Sequence, residues 1–195
     1  VKTGKDGTAT SKELYLGKYT VKETEAPYGM ILNGETHEVE LTYAGQEVAV
    51  TETATSFYNE RQKVSVNLLK ALEQNEKYGI GMNDEITAVS FGLYAAEEIT
   101  AASGTSIPAD GLIEILTVST DGTAQTSADL PLGRYYVRED ATDDHYILSD
   151  NQYEFEFSYA GQDTELVELF VNEGKAIENE LLYGSVSGLK VNEND

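Results

Sequence analysis

Three polar residues of this chain stand where strand parity expects apolar ones. In "LGRYYVRED", residues 132–140, alternate positions of an extended strand share a face, so Glu139 points with Tyr135 and Val137. In "KVSVNLLK", residues 63–70, Val64, Val66 and Leu68 alternate and Lys70 continues their face. In "AIENELLY", residues 176–183, Asn179 lies on the face of Ile177, Leu181 and Tyr183. Such residues have three readings. Their polar tips reach water at strand ends, as a lysine stem allows by snorkelling; or they form a buried Lys–Glu pair with an Asn hydrogen bond, which is costly unless fully satisfied; or they react. A lysine desolvated among apolar side chains gives up its proton more easily, and a glutamate in that setting keeps its own. A neutral amine beside an Asn side-chain carbonyl is a nucleophile, and a glutamic acid can donate to that carbonyl and shuttle protons. The product would be a Lys–Asn amide with loss of ammonia.

The elements that would hold these residues recur along the chain. "LGKYTVKE" at 16–23 returns as "LGRYYVRE" at 132–139, and "TYAGQE" at 42–47 as "SYAGQD" at 158–163, both displaced by 116 residues. "SVNLLK" at 65–70 returns as "SVSGLK" at 185–190, displaced by 120. A period of this length suits a whole domain rather than a solenoid unit. If each unit starts at the "SV…K" strand, residues 62–183 form a complete domain, 1–61 the C-terminal half of a preceding one, and 184–195 the first strand of a following one. Glu23, which shares a face with Tyr19 and Val21, and Asn59, which shares one with Phe57 in "TSFYNE", are then the unpaired equivalents of Glu139 and Asn179. Lys190 is the unpaired equivalent of Lys70: it follows Asn179 by 11 residues, as Lys70 follows Asn59. This spacing favours Asn179 over Asn172 as the reacting amide.

Within 62–183 the pattern is β throughout. "SFGLYAA", "GLIEILTVST", "QYEFEFSY" and "ELVELFVNE" join the strands above, and "STDG", "PADG" and "SDNQ" mark turns between them. About seven strands without strong helical periodicity predict an all-β, antiparallel sandwich. "AAEEITAAS", residues 95–103, is read as a helical turn or short helix.

The phrases "GKYTVKETEAPYG" (17–29), "SFGLYAAEE" (90–98), "LPLGRYYVRED" (130–140) and "IENELLYGSVSGLKVNEND" (177–195) resemble the Cna protein B-type (SpaA-like, prealbumin-like) domains of Gram-positive surface adhesins and pilins. The resemblance spreads over the whole chain and implies tandem prealbumin-like, immunoglobulin-like sandwiches. It also implies an autocatalytic isopeptide bond between first and last strands, with Lys70 as nucleophile, Asn179 as acceptor and Glu139 as catalytic acid. Departures lie in "REDATDDHY", where the family has the E-x-x-A-P-x-G-Y form kept by the first unit, and in "KALEQNEKYG", which lacks the usual Asp two residues after the Lys. By the same resemblance the chain is a stalk or shaft repeat of an extracellular, cell-wall-anchored adhesin or pilus-like protein, although no LPxTG-type signal occurs in these residues. Adjacent repeats of the same protein would then be its partners.

Composition sets the remaining limits. The 195 residues are 40% hydrophobic, enough for one or two cores. With 35 acidic against 13 basic residues the net charge is −22, which argues against nucleic acid and membrane-surface partners. No apolar run approaches the roughly 20 residues that cross a bilayer. Cysteine is absent, and there is no N-glycosylation sequon. His37 and His145 fall at non-equivalent places and form no ligand pattern, and the acidic clusters "ATDD" and "VNEND" lack the spacing of a calcium loop. No metal or cofactor is therefore expected, and no enzyme beyond the self-reaction. A host-ligand module, reading matrix protein or glycan through loops such as "AASGTSIPADG", is the alternative function. The orphan segment 184–195 also raises strand exchange between copies.

Overall fold

The structure, a computed structural model, describes residues 1–100, 104–127 and 129–191. The chain divides into two compact units, one of residues 1–61 with 161–164 and one of 62–160 with 165–195.

In the larger unit, ten strands are found among the described residues. They are β3 (Lys63–Leu72), β4 (Ser90–Ala95), β5 (Ile99–Thr100), β6 (Ser106–Ile107), β7 (Leu112–Thr117), β8 (Thr123–Gln125), β9 (Gly133–Ala141), β10 (Gln152–Phe157), β11 (Leu166–Phe170) and β12 (Ile177–Asn179). One sheet is antiparallel throughout, in the order β10, β9, β4, β7. The other is built on β3. Strands β11 and β12 run parallel to β3 along residues 63–67 and 70–72, and β8 pairs antiparallel at 67–69. An all-antiparallel sandwich was expected, and the sheet carrying Lys70 is mixed instead. First and last strands lie side by side and run the same way, which only a long crossover permits.

Between the sheets lies one core. Val64, Val66 and Leu68 of β3 face Phe91 and Leu93 of β4 and Tyr135 and Val137 of β9, all of them buried. Alternation thus delivers the apolar faces that the sequence predicted. The 95–103 segment differs: Ala95 ends β4 and Ile99–Thr100 pairs with Ser106–Ile107, while residues 101–103 lie outside the described residues. A buried Ile99 fixes this piece to the core as strand rather than helix. Tyr183 also departs from its expected inward face and is exposed. Regular pairing of the last strand ends at Asn179, and only an isolated bridge joins Tyr146 to Leu181 beyond it.

Glycine is required at one place beside Lys70. Gly122 has φ +81°, its carbonyl accepts from the Lys70 N–H at 2.7 Å, and a Cβ there would run into the Lys70 carbonyl oxygen.

The smaller unit holds one hairpin, β1 (Gly17–Lys22) against β2 (Thr36–Leu41). Its inward residues, including Tyr19, Val21, Val39 and Leu41, are only half-buried, and no residue of 1–61 is buried. "TSFYNE", expected as a last strand, forms none, because no first strand runs beside it among the described residues. Residues 184–191 likewise form no strand and are exposed throughout.

Two outcomes follow for stability. In hydrogen–deuterium exchange, amides of β1 and β2 should exchange at least about tenfold faster than those of β3, β4 and β9, since an uncovered hairpin opens at little cost; equal protection would contradict the absence of a core in the smaller unit. Gly122→Ala should lower stability in urea by about 2–3 kcal/mol, through its positive φ and its clash together. Gly104→Ala, at φ +83° with open space around it, should lose only about 1 kcal/mol. Equal losses at the two positions would rule out the crowding at Lys70.

Candidate functional site

Lys70, Glu139 and Asn179 meet inside the sandwich of the larger unit. They are supplied by β3, β9 and β12, and each is 4% exposed or less. Parity aims the first two inward: Lys70 ends the Val64, Val66, Leu68 row, and Glu139 ends the Tyr135, Val137 row. Asn179 follows Ile177 on the inner face of β12, whose parallel register sets Ile177 opposite Lys70 and Asn179 opposite Leu72. Backbone and side-chain bonds clamp the end of β12. Glu73 N–H donates to Asn179 O at 3.0 Å, and the Glu73 carboxylate accepts from Leu181 N–H at 2.8 Å and from Tyr183 O–H at 2.9 Å.

The Lys70 side chain is fully enclosed. Its Nζ donates to Ala71 O and Ile177 O, each at 2.9 Å, and to Asn179 Oδ1 at a shorter distance. An ammonium has three N–H groups, and these three carbonyl oxygens use all of them. The fourth neighbour, Glu139 Oε1, stands 3.7 Å from Nζ and is buried with no hydrogen-bond partner. Burial pulls the Lys70 amine down from its ordinary 10.5 to about 8, against the attraction of Glu139 and Glu178. The neutral amine is therefore easier to reach near physiological pH than for an exposed lysine.

The other carboxyl oxygen is differently occupied. Glu139 Oε2 accepts from Asn179 Nδ2 at 2.8 Å and from Ser149 N–H at 2.9 Å. Asn179 Nδ2 also donates to Ile147 O at 2.9 Å and to Thr142 Oγ1 at 3.2 Å. These contacts fix the amide with its oxygen toward Lys70 and its nitrogen toward Glu139. One carboxyl group thus has one oxygen bonded to the Asn179 nitrogen and the other 3.7 Å from the Lys70 nitrogen.

Ser149, Ile147, Ala71 and Ile177 take part through backbone groups, for which residue type gives no signal. Thr142 was within reach of sequence reasoning, since it lies in the segment that departs from the first unit; its counterpart 116 residues earlier is Ala26. Asn172 lies in the turn before β12 at φ 53°, with Nδ2 donating to Lys175 O and Ala176 O, away from Lys70.

The smaller unit brings Glu23 and Asn59 together, with Asn59 Nδ2 donating to Glu23 Oε2 at 2.6 Å. Lys190 lies exposed in the tail. His37 stacks on Phe57 with ring centroids 4.4 Å apart, and His145 Nδ1 pairs with Asp143 at 2.7 Å, so both have local structural partners. Among the described residues no cluster of His, Asp and Glu suited to a metal is found, and no helix is long and apolar enough to cross a membrane.

The fold is similar to that of "The Bacillus anthracis TIE protein", with a TM-score of 0.59, 19% identity, and coverage of 92% of this chain and 28% of that one. Weaker likenesses include GBS52, the minor pilin of Streptococcus agalactiae (TM-score 0.39, 17% identity, 96% of this chain and 70% of that one). Another is a C-terminal fragment of the pilus adhesin SpaC of Lactobacillus rhamnosus GG (TM-score 0.42, 15% identity, 91% and 80%). The chain thus spans less than a third of the Bacillus anthracis protein it matches. No curated protein sequence matches it. The SpaA prealbumin-like fold domain model matches residues 1–55 and 74–169, well over half of the chain. The chain belongs to the SpaA family of prealbumin-like fold domains.

Proposed function

We propose that the larger unit is a load-bearing shaft domain of an extracellular adhesin or pilus-like protein, closed by a Lys70–Asn179 isopeptide bond that it forms on itself. The observation that carries this reading is the Glu139 carboxyl, with one buried oxygen unbonded 3.7 Å from Lys70 Nζ and the other holding Asn179 Nδ2. A structural ion pair would satisfy both oxygens, since an unpaired buried acceptor costs about 1–3 kcal/mol. A group that takes a proton from one nitrogen and gives one to the other needs an unoccupied oxygen facing the amine.

In the reaction the neutral Lys70 Nζ attacks Asn179 Cγ. A bond forms between Nζ and Cγ, the bond between Cγ and Nδ2 breaks, and Glu139 relays a proton from Nζ to the departing Nδ2. Ammonia leaves, and the carboxyl ends in the state in which it began. Lys70 N–H donors on Ala71 O and Ile177 O hold the amine in place, and β-sheet packing excludes water that would hydrolyse the amide instead.

Parallel first and last strands explain what the bond would do. Tension on the two ends of the unit pulls β3 and β12 lengthwise past each other. With Lys70 joined to Asn179, force crosses from one strand to the other through a covalent bond, and residues 71–178 leave the load path. By analogy with a disulfide closing a loop of this size, the link would stabilise by about 4–5 kcal/mol. A cysteine-free exported domain has need of such a staple.

The intact mass of the chain should fall short of the sequence mass by one ammonia for this bond, and Lys70→Ala, Asn179→Ala and Glu139→Ala should each regain that ammonia. A wild-type mass without the deficit refutes the reaction. In Glu139→Gln, which stays unlinked, Lys70 keeps its burial and loses the attraction that raised its pKa. Its folded value then lies below about 8 and its unfolded value near 10.5. Between them the unfolded chain binds more protons, so stability rises with pH. The urea midpoint of Glu139→Gln should therefore climb between about pH 7 and about pH 10 relative to Lys70→Met/Glu139→Gln, and parallel curves would show that Lys70 is not desolvated.

A further inference from the structure

The nitrogen that would leave when Lys70 attacks is Asn179 Nδ2, and it faces three acceptors. Glu139 Oε2 stands at 2.8 Å, Ile147 O at 2.9 Å and Thr142 Oγ1 at 3.2 Å. A carboxamide nitrogen carries two N–H groups, and the two closer oxygens use both. The half-buried hydroxyl of Thr142 is therefore one acceptor more than the amide needs. Its position is fixed from both sides. β9 ends at Ala141, and the following turn is closed by Tyr146 N–H on Asp143 O and His145 N–H on Asp143 Oδ1, each at 3.0 Å. The same loop is laced to the chain just beyond Asn179, with Ile147 N–H donating to Glu180 O at 2.9 Å and Leu182 N–H to His145 O at 2.8 Å. Thr142 and Ile147 thus reach the nitrogen from one loop, which is itself tied to the segment that carries Asn179.

The threonine belongs to this unit and not to the pattern the repeat keeps. "REDATDDHY" departs from the E-x-x-A-P-x-G-Y form, and Thr142 stands where the first unit has Ala26. There Asn59 Nδ2 donates to Glu23 Oε2 at 2.6 Å and to Ile31 O at 2.9 Å, two acceptors for two N–H groups, and the alanine side chain has no oxygen to add.

The count changes as the bond to Cγ breaks. In the planar amide the Nδ2 lone pair is delocalised and is no base. Once Lys70 has added to Cγ, Nδ2 is pyramidal and its lone pair takes the proton that Glu139 delivers, so the nitrogen carries three N–H groups. Glu139 Oε2 then holds one and Ile147 O another, and the third has Thr142 Oγ1 within reach. A contact that is weakest in the ground state and complete only as the nitrogen departs lowers the barrier, because only stabilisation gained in the transition state accelerates a reaction.

We propose that Thr142 binds the leaving group: its Oγ1 accepts the third N–H of the departing ammonia and so speeds formation of the Lys70–Asn179 bond. The inference rests on the reaction read for those two residues. The bond from Nζ to Cγ forms, the bond from Cγ to Nδ2 breaks, one proton passes from Nζ through Glu139 to Nδ2, and Thr142 neither gains nor loses a proton.

The test compares the wild-type chain with Thr142→Val, which keeps the shape and removes the acceptor, with Thr142→Ala, the residue of the first unit, and with Thr142→Ser, which keeps the hydroxyl. Each full chain is made by cell-free translation, sampled by acid quench and weighed intact, while a brief protease pulse on parallel samples reads how much has folded. Per folded chain, Thr142→Val and Thr142→Ala should lose ammonia about tenfold more slowly, as one neutral hydrogen bond allows, and Thr142→Ser should match wild type. A hydroxyl that served structure alone would change the folded fraction and leave the rate per folded chain unmoved. That result, or Thr142→Ser as slow as Thr142→Val, overturns the proposal. A wild-type chain that never loses ammonia overturns the underlying reaction as well, whereas equal rates in chains that all lose it overturn only the role of Thr142.

Discussion

A charged amine and a carboxyl group buried together between two sheets set the terms for the rest of this molecule. Neither ion is tolerated in an apolar core without partners, and breaking such a pair by removing one member costs about 3–5 kcal/mol. The fold answers on one side only. Lys70 has a full set of carbonyl acceptors: Ala71 O from its own strand, and Ile177 O and Asn179 Oδ1, which the parallel register of β3 and β12 brings within reach. Glu139 is left with a bare oxygen. Around them the backbone is pinned: the Gly122 carbonyl accepts from the Lys70 N–H, and Glu73 ties down the chain from Asn179 to Tyr183. A buried acceptor without a partner calls for a reason, and the proposed proton relay supplies one.

The two units make an internal comparison. Both carry the Glu–Asn hydrogen bond and its backbone partners, so that arrangement does not depend on the lysine. What the lysine strand changes is burial. Glu139 and Asn179 are shut inside a core, whereas Glu23 and Asn59 remain half-exposed at the margin of a two-stranded hairpin. Desolvation is what depresses the Lys70 pKa, so the proposed nucleophile arrives on a strand that helps to bury it.

Much of the site could be read from the sequence because strands impose a period of two. Lys70 and Glu139 each end a row of apolar residues, and parity alone placed them inward; the 116-residue repeat picked out the same acid in both units. Parity says nothing about strand direction, so the parallel pairing of β11 and β12 with β3 was not legible, and neither were the backbone groups of Ser149 and Ile147. Tyr183 shows the limit of the method, since the alternation persists in the letters after the ladder has stopped at Asn179. "TSFYNE" shows another: a strand pattern becomes a strand only when a neighbour offers hydrogen bonds. For the 95–103 segment, composition suggested helix, and tertiary burial of Ile99 decided otherwise.

A crystal structure of the chain at a resolution that separates bonded from non-bonded atoms is the most direct measurement of the central claim. The account predicts continuous density from Lys70 Nζ to Asn179 Cγ at an amide bond length of about 1.33 Å, with Glu139 against the new amide. Two separate side chains, with Nζ no closer to the Asn179 amide than a hydrogen bond of about 2.7 Å, would contradict it.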